Sequence, residues 1–169
     1  MIVLDYFLVK KDVVLDRYDA AILDQLQKDG RCSVVELAEQ VGLSNTPCAR
    51  RVRLMEEAGI IQGYTAILDP ARLGLKVRCF VQVKLERHTD QNLEQFRRGV
   101  DAMEEIVACH AVTGEYDLLL QVVVEDLESL GDVVLKKLMK MPYVRDVHSS
   151  IVLDTFKRSS HLPVRHLGG

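Results

Sequence analysis

Three short amphipathic helices in the first third of the chain, a break at Pro70 and Gly74, and a strand–helix–strand–strand–helix–strand order after it predict an α+β fold. The first part reads as a three-helix helix-turn-helix domain over residues 14–64. A hinge follows at 65–75, then a ferredoxin-like βαββαβ domain at 76–157. Residues 1–13 are left as an N-terminal extension and 158–169 as a tail.

The first helix comes from Asp16 to Asp29, with Tyr18, Ile22, Leu23 and Leu26 on one face and Gly30 as its stop. In the second, Ser33 and Glu36 have capping-box spacing, Val34, Leu37, Ala38 and Val41 form the buried stripe, and Gly42 ends the helix. The third starts at Ser44, a capping residue, and tolerates Pro47 because first-turn N–H groups lack partners within a helix. At about 100° per residue, Cys48, Val52 and Met55 fall on one side. Thr46, Arg50, Arg53 and Glu57 lie opposite, and Arg51 lies on the flank.

Ile61, Tyr64 and Ile67 suggest a strand-like connector. Beyond the hinge, Val77, Cys79, Val81, Val83 and Leu85 alternate along a strand, and Leu93, Phe96, Val100 and Met103 have helical spacing. Two strands, "EIVACHAV" and "YDLLLQVVVE", meet near Thr113–Gly114–Glu115. A second helix carries Leu127, Leu130, Val134, Leu138 and Met141, and "VRDVHSSIVLDTF" is the last strand. Two helices cover one face of such a sheet; a partner subunit is the simplest cover for the other.

Bulk properties narrow the function. No apolar run reaches the 20 or so residues needed to cross a membrane. The opening "MIVLDYFLVKK" is short and broken by Asp5; it reads as an ordered strand or a flexible extension, not an export signal. Cys32, Cys48, Cys79 and Cys109 are scattered, which argues against zinc or a redox dithiol and for small buried residues in a reducing compartment. The pI of about 6.0 and net charge of −3 argue against indiscriminate binding of polyanions by the whole surface.

Local charge tells more. Leu15–Tyr64 holds six basic residues (Arg17, Lys28, Arg31, Arg50, Arg51, Arg53) against eight acidic ones, so the segment is itself acidic. Three of the six arginines and lysines sit on the third helix, behind the short polar residues Asn45 and Thr46. A helix that reads the major groove needs this arrangement: short polar side chains at its start for base edges, arginines for guanine or phosphate. A charged outer face is also the ordinary state of an amphipathic helix, so the basic cluster gains weight only from the helix-turn-helix spacing around it.

The stretches "LDRYDAAILDQLQKDGR", "VELAEQVGLSNTPCARRVRLMEEAGIIQGYTAILDP" and "EEIVACHAVTGEYDLLLQVVV" resemble the leucine-responsive regulator/AsnC family of transcription regulators, from about Val14 to Lys157. The resemblance implies a homodimer joined through its sheets, higher assemblies of dimers, double-stranded operator DNA as partner, and a small amino acid as allosteric effector. With no metal or catalytic set converging in the sequence, no metal or other cofactor and no enzyme activity are expected, and the scattered cysteines fit a cytoplasmic location. By position, Ser44, Thr46, Arg50 and Arg53 would face DNA, with Arg51 on the flanking backbone. The family often has proline where this chain has Asn45, which can read adenine or add a second cap. The implied effector region is Val112, Thr113, Gly114, Tyr116 and Asp117, with Ser149, Ser150 and Ile151 supplied across the neighbouring dimer. Backbone N–H groups around Gly114 would hold a carboxylate and Asp117 an ammonium; a plain hairpin turn is the alternative.

Other groupings are weaker. Cys109 and His110 are strand neighbours and point to opposite faces, so they make no nucleophile pair. His148 and Asp146 have no third ligand at metal spacing. The tail, with His161 and His166, reads as a loosely ordered end or an arm gripping a partner subunit. Phosphate-loop, zincin and nucleophile-elbow motifs are absent. The sequence thus points to an amino-acid-responsive DNA-binding regulator. The alternative is an amino-acid-sensing oligomeric module with weak or no DNA binding.

Overall fold

Asp16 starts the first helix with a complete capping box. Its carboxylate accepts from the N–H groups of Tyr18 and Asp19, and the Asp19 carboxylate accepts from the Asp16 N–H. The computed structural model describes residues 14–86 and 89–168. The N-terminal extension, residues 1–13, lies outside the described residues, as does Gly169. The helix, α1, spans Arg17–Lys28; it ends at Asp29 in an extended conformation, one residue before the expected glycine stop.

Helix α2 (Val34–Val41) is capped as its spacing predicts. The Glu36 N–H donates to the Ser33 hydroxyl at 3.2 Å, and the Ser33 N–H donates to Glu36 Oε2 at 2.7 Å. Gly42 closes it at φ 70°, a left-handed position that costs glycine nothing. Val34, expected inside, is exposed; Leu37 and Ala38 are buried. Helix α3 (Asn45–Glu57) buries Cys48 and Met55 against Ile22, Leu37 and Ala38, with Leu23, Leu26, Val41, Val52 and Ile61 around them. The chain from residue 61 to 69 forms no strand, so Ile61 serves the core of the helical unit rather than a β connector.

In the second unit, strands β1 (Val77–Leu85), β2 (Ile106–Ala111), β3 (Leu118–Val124) and β4 (Val144–Ile151) form an antiparallel sheet ordered β2-β3-β1-β4. Helix α4 (Asp90–Asp101) follows β1, and α5 (Leu127–Gly131) follows β3. This is the expected split βαβ topology. Opposite residues share a face, and Val81 pairs Leu120 while Cys79 pairs Val122. Those side chains are fully buried beneath Phe96, Val100, Leu130, Val133 and Leu138 of the helical layer. Gly99 on α4 gives Met141 room: a Cβ there would meet the methionine Cε at 2.0 Å.

Two details depart from expectation. Beyond α5 the chain continues through a π turn (Asp132–Lys137) and a 3₁₀ turn (Leu138–Lys140). The buried positions step by five, from Val133 to Leu138, so Val133 joins the core beside Val134, which packs against it half-buried, and Leu127 is exposed. Cys48 and Cys79 are buried as expected, but Cys32 is half-buried and Cys109, on edge strand β2, is exposed.

Contacts divide the described chain into two compact units. One is Leu68–Phe156; the other joins the residues up to Ile67 with those from Lys157 onward. The tail is therefore no loose end: it packs with the helices of its own chain.

Candidate nucleic-acid and effector surfaces

Helix α3 presents its polar face as its periodicity requires. Ser44 is the N-cap, with φ −79° and ψ 159°, but its hydroxyl makes no capping hydrogen bond. Asn45 and Thr46 open the helix, and both are exposed, as are Ser44, Arg50 and Arg53. Arg53 Nε lies 3.4 Å from Glu57 Oε1, one turn on. An exposed pair of that kind contributes little and is readily exchanged for a phosphate. The helix N-terminus adds partial positive charge and unpaired N–H groups at the same end.

Arg51, expected on the flanking DNA backbone, behaves differently: within this chain its guanidinium is engaged by two acids of α1. Its guanidinium turns inward. Nη1 donates to Asp19 Oδ1 at 2.8 Å, Nη2 lies 2.9 Å from Asp16 Oδ2, and the group sits 5.6 Å from the centre of the Tyr18 ring. Its flank position on the helical wheel brings it within reach of the first turn of α1, where two capping carboxylates wait. The bond to Asp19 holds the Arg51 guanidinium even more firmly charged. Hydrogen bonds from the Asp19 and Tyr18 N–H groups, then Arg51, hold the Asp16 carboxyl below its ordinary range. Asp16, Tyr18 and Asp19 are thus members of this surface's support that helical periodicity alone did not single out. The signal was present as a D-x-x-D capping pattern facing an arginine at a half-buried angle.

The same unit has a shallow recess of about 310 Å³ lined by Leu26, Cys32, Val34, Val52, Arg53, Glu56 and Tyr64. There the Tyr64 hydroxyl donates to Glu56 Oε1 at 3.0 Å. Burial first, and the Glu56 carboxylate second, push the Tyr64 phenol up to about 12.

In the second unit the loop between β2 and β3 is tightly framed. The Val112 N–H donates to the Asp117 carbonyl and the Asp117 N–H to the Val83 carbonyl, each at 3.0 Å. Asp117 Oδ2 accepts from the Leu85 N–H at 2.8 Å, and Oδ1 lies 3.6 Å from Lys84 Nζ. Lys84 also donates to the Glu115 carbonyl. With its side chain only 14% exposed, Asp117 is first a brace for the loop. Thr113 and Gly114 are exposed at the tip, and Gly114 has φ 124° with open space where a Cβ would stand. The Tyr116 ring centre is 6.2 Å from that of His148 on β4.

Ser149, Ser150 and Ile151 do not join that loop within one chain. Asp117 is level with Val83, which pairs Val147, whereas Ser149 pairs Val81 and Ile151 pairs Cys79. At about 3.3 Å per residue they lie roughly 7–13 Å farther along the sheet. The strand also splits them. Ser149 and Ile151 share the face of Cys79 and Val81, and Ser150 points to the other face beside Phe80. Within one chain the three therefore do not line a single side, and they stand apart from the loop along the sheet.

That other sheet face carries Arg78, Phe80 and Gln82 of β1. Phe80 is 39% exposed, and the Arg78 Nε is buried with no hydrogen-bond partner. Among the described residues, no three His, Cys, Asp or Glu side chains gather as a metal site, and no helix is long and apolar enough to cross a membrane.

Known proteins resemble both units. A family profile described as a winged helix-turn-helix DNA-binding domain matches residues 15–62, and one described as the Lrp/AsnC ligand binding domain matches residues 78–162. The leucine-responsive regulatory protein of Escherichia coli K12 is 43% identical over 151 residues, covering 89% of this chain and 92% of the relative. Among solved structures, a transcriptional regulator of Neisseria meningitidis in complex with L-Met superposes with a TM-score of 0.86. It is 39% identical, and the match covers 90% of this chain and 99% of that one. An AsnC family regulator of Agrobacterium tumefaciens gives 0.85 at 36% identity, with coverage of 90% and 99%.

Proposed function

The chain belongs to the Lrp/AsnC family of transcription regulators, and from that membership we propose how its residues divide the work. The protein is a DNA-binding regulator rather than an enzyme, and it acts as a homo-oligomer with a small amino acid as effector. In this reading α3 enters the major groove: Ser44, Asn45 and Thr46 meet base edges, and Arg50 and Arg53 take guanine or phosphate. Two such helices in a dimer sit about 34–36 Å apart, one turn of duplex. Arg51 contacts no DNA; it holds α3 on α1. The observation that carries the proposal is this division among three nearby arginines, two outward and one locked inward.

The sheet face with Phe80 and the orphaned Arg78 Nε is where a second copy completes the fold. The effector carboxylate sits on backbone N–H groups around Gly114, with Val112, Thr113 and Tyr116 beside it. Asp117 braces the loop and supplies a negative charge for the ammonium. A neighbouring copy brings Ser149 and Ile151. The named relatives, one leucine-responsive and one holding L-Met, support an amino acid with an apolar side chain. The working compartment is the cytoplasm, where the duplex is and where the four free thiols stay reduced.

Operator titrations across salt test the DNA half. The logarithm of affinity falls linearly with the logarithm of salt, with a slope near −0.9 per phosphate contact. A flat dependence refutes it. A thermal-shift screen of the amino acids tests the effector half, because a ligand at about 100 times its Kd adds about 2.7 kcal/mol of stability. A screen with no hit refutes that half.

A further inference from the structure

The outer side of α1, away from Ile22 and the helical core, carries Ala20, Ala21, Asp24, Gln27 and Lys28, and the C-terminal tail lies on it. Gln27 grips the tail backbone twice: its Nε2 donates to the Leu162 carbonyl at 3.2 Å, and the Leu162 N–H donates to its Oε1 at 2.6 Å. Beside it, His161 Nε2 is 3.0 Å from Asp24 Oδ1, while Asp24 Oδ2 pairs with Lys28 Nζ at 2.5 Å. His161 and Val164 turn toward the helix, whereas the Leu162 side chain is 70% exposed. Between tail and helix remains a cavity of about 960 Å³, walled in part by Ala20, Ala21, Pro163 and Val164. The grip includes polar, directional bonds between exposed or half-buried groups. Segments held this way open far below the cost of global unfolding.

The chain path gives this contact a consequence. The polypeptide passes from one compact unit to the other after Ile67 and returns after Phe156. With the tail docked, the helical unit is tied to the sheet unit by two covalent links; with the tail free, one remains. We propose that residues 157–168 are a detachable strap for the DNA-binding unit, seated on α1 by Gln27, Asp24 and His161. Docked, the strap narrows the orientations open to that unit before DNA arrives, which removes part of the ordering cost of association. Docking therefore favours operator binding. The proposal rests on the DNA-binding reading above.

The test uses full-length protein in two variants, Asp24→Ala/Gln27→Ala on the helix and His161→Ala on the tail, with circular dichroism to verify unchanged helix content. Trypsin cleavage after Lys157 and Arg158 is followed by mass spectrometry. Affinity is measured on a duplex selected from a randomised pool by the wild-type protein. Cleavage about tenfold faster in both variants, with affinity several-fold weaker, is the expected result. Equal cleavage in wild type and variants overturns the docking, and faster cleavage with unchanged affinity overturns the strap. A wild-type protein that selects no duplex counts against the DNA-binding reading instead, and the cleavage comparison still decides the docking.

Discussion

Replacing Arg51 by methionine removes the guanidinium and keeps most of the stem. The Asp16 half of the lost contact is 47% exposed and contributes little. The Asp19 half is enclosed, with the carboxylate side chain 10% exposed and the arginine 25%. Stripping one partner from a fully buried pair costs about 3–5 kcal/mol. Here the site is partly open, Asp19 keeps the Asp16 N–H at 3.0 Å, and the methionine stem still packs beside Tyr18. The net cost is about 2 kcal/mol, within the range for one charge-assisted hydrogen bond. For a unit of this size that lowers the thermal midpoint by about 10 °C. Thermal melts of Arg51→Met and Arg50→Met, with operator titrations of both across salt, form the assay. Arg50→Met is expected to melt like wild type and to reduce the salt slope by about 0.9. Arg51→Met is expected to melt early and to leave the slope unchanged where it remains folded. A stable Arg51→Met protein with a reduced slope would return Arg51 to the DNA and refute its role as a clamp.

Gly114→Ala is expected to cost about 1–3 kcal/mol, because φ 124° strains any residue with a Cβ, and to weaken amino-acid binding in calorimetry; unchanged affinity would remove the loop tip from the effector site. Tyr64 is expected to titrate at about 12. Its folded value is raised, so its contribution to stability is full below the ordinary value near 10 and disappears as pH climbs toward 12. The difference in phenolate absorbance between wild type and Tyr64→Phe measures this, and an inflection near 10 contradicts it. Glu36 is held below its ordinary range by the Ser33 N–H, so its contribution is present above about pH 4 and is lost as pH falls through the lowered value. Ser33→Ala is expected to cost about 1 kcal/mol at neutral pH in urea unfolding; no loss would show that the capping box is idle.

Regular periodicity made most of the architecture legible. Val77 to Leu85 alternate because one face of β1 is sealed and the other is not, and the pattern survives contact with the structure residue by residue. The capping boxes were equally readable where they involve serine and glutamate, since both partners lie within one turn. Pairings across long separations were not. Nothing local joins Arg51 to Asp19, 32 residues earlier, or His161 to Asp24, 137 residues earlier. The helical wheel placed Arg51 at an intermediate angle without saying which neighbour filled the space. The grouping of Ser149, Ser150 and Ile151 hid a second feature of strands: adjacency along a strand separates side chains onto opposite faces. Val34 and Cys109 were drawn inward by their chemistry, yet one lies on the open side of α2 and the other on a sheet edge.

The π turn at Asp132–Lys137 has a consequence for how this chain tolerates changes in length. A π turn accommodates one residue more than the regular helical path through the same space. Deleting a single residue there shortens the loop of backbone to an ordinary turn while Leu130 and Leu138 keep their places under the sheet. The same deletion in α4 would swing Val100 about 100° away from the core and strand Phe96 beside it. A change of length is therefore absorbed at Asp132–Lys137 and not in α4.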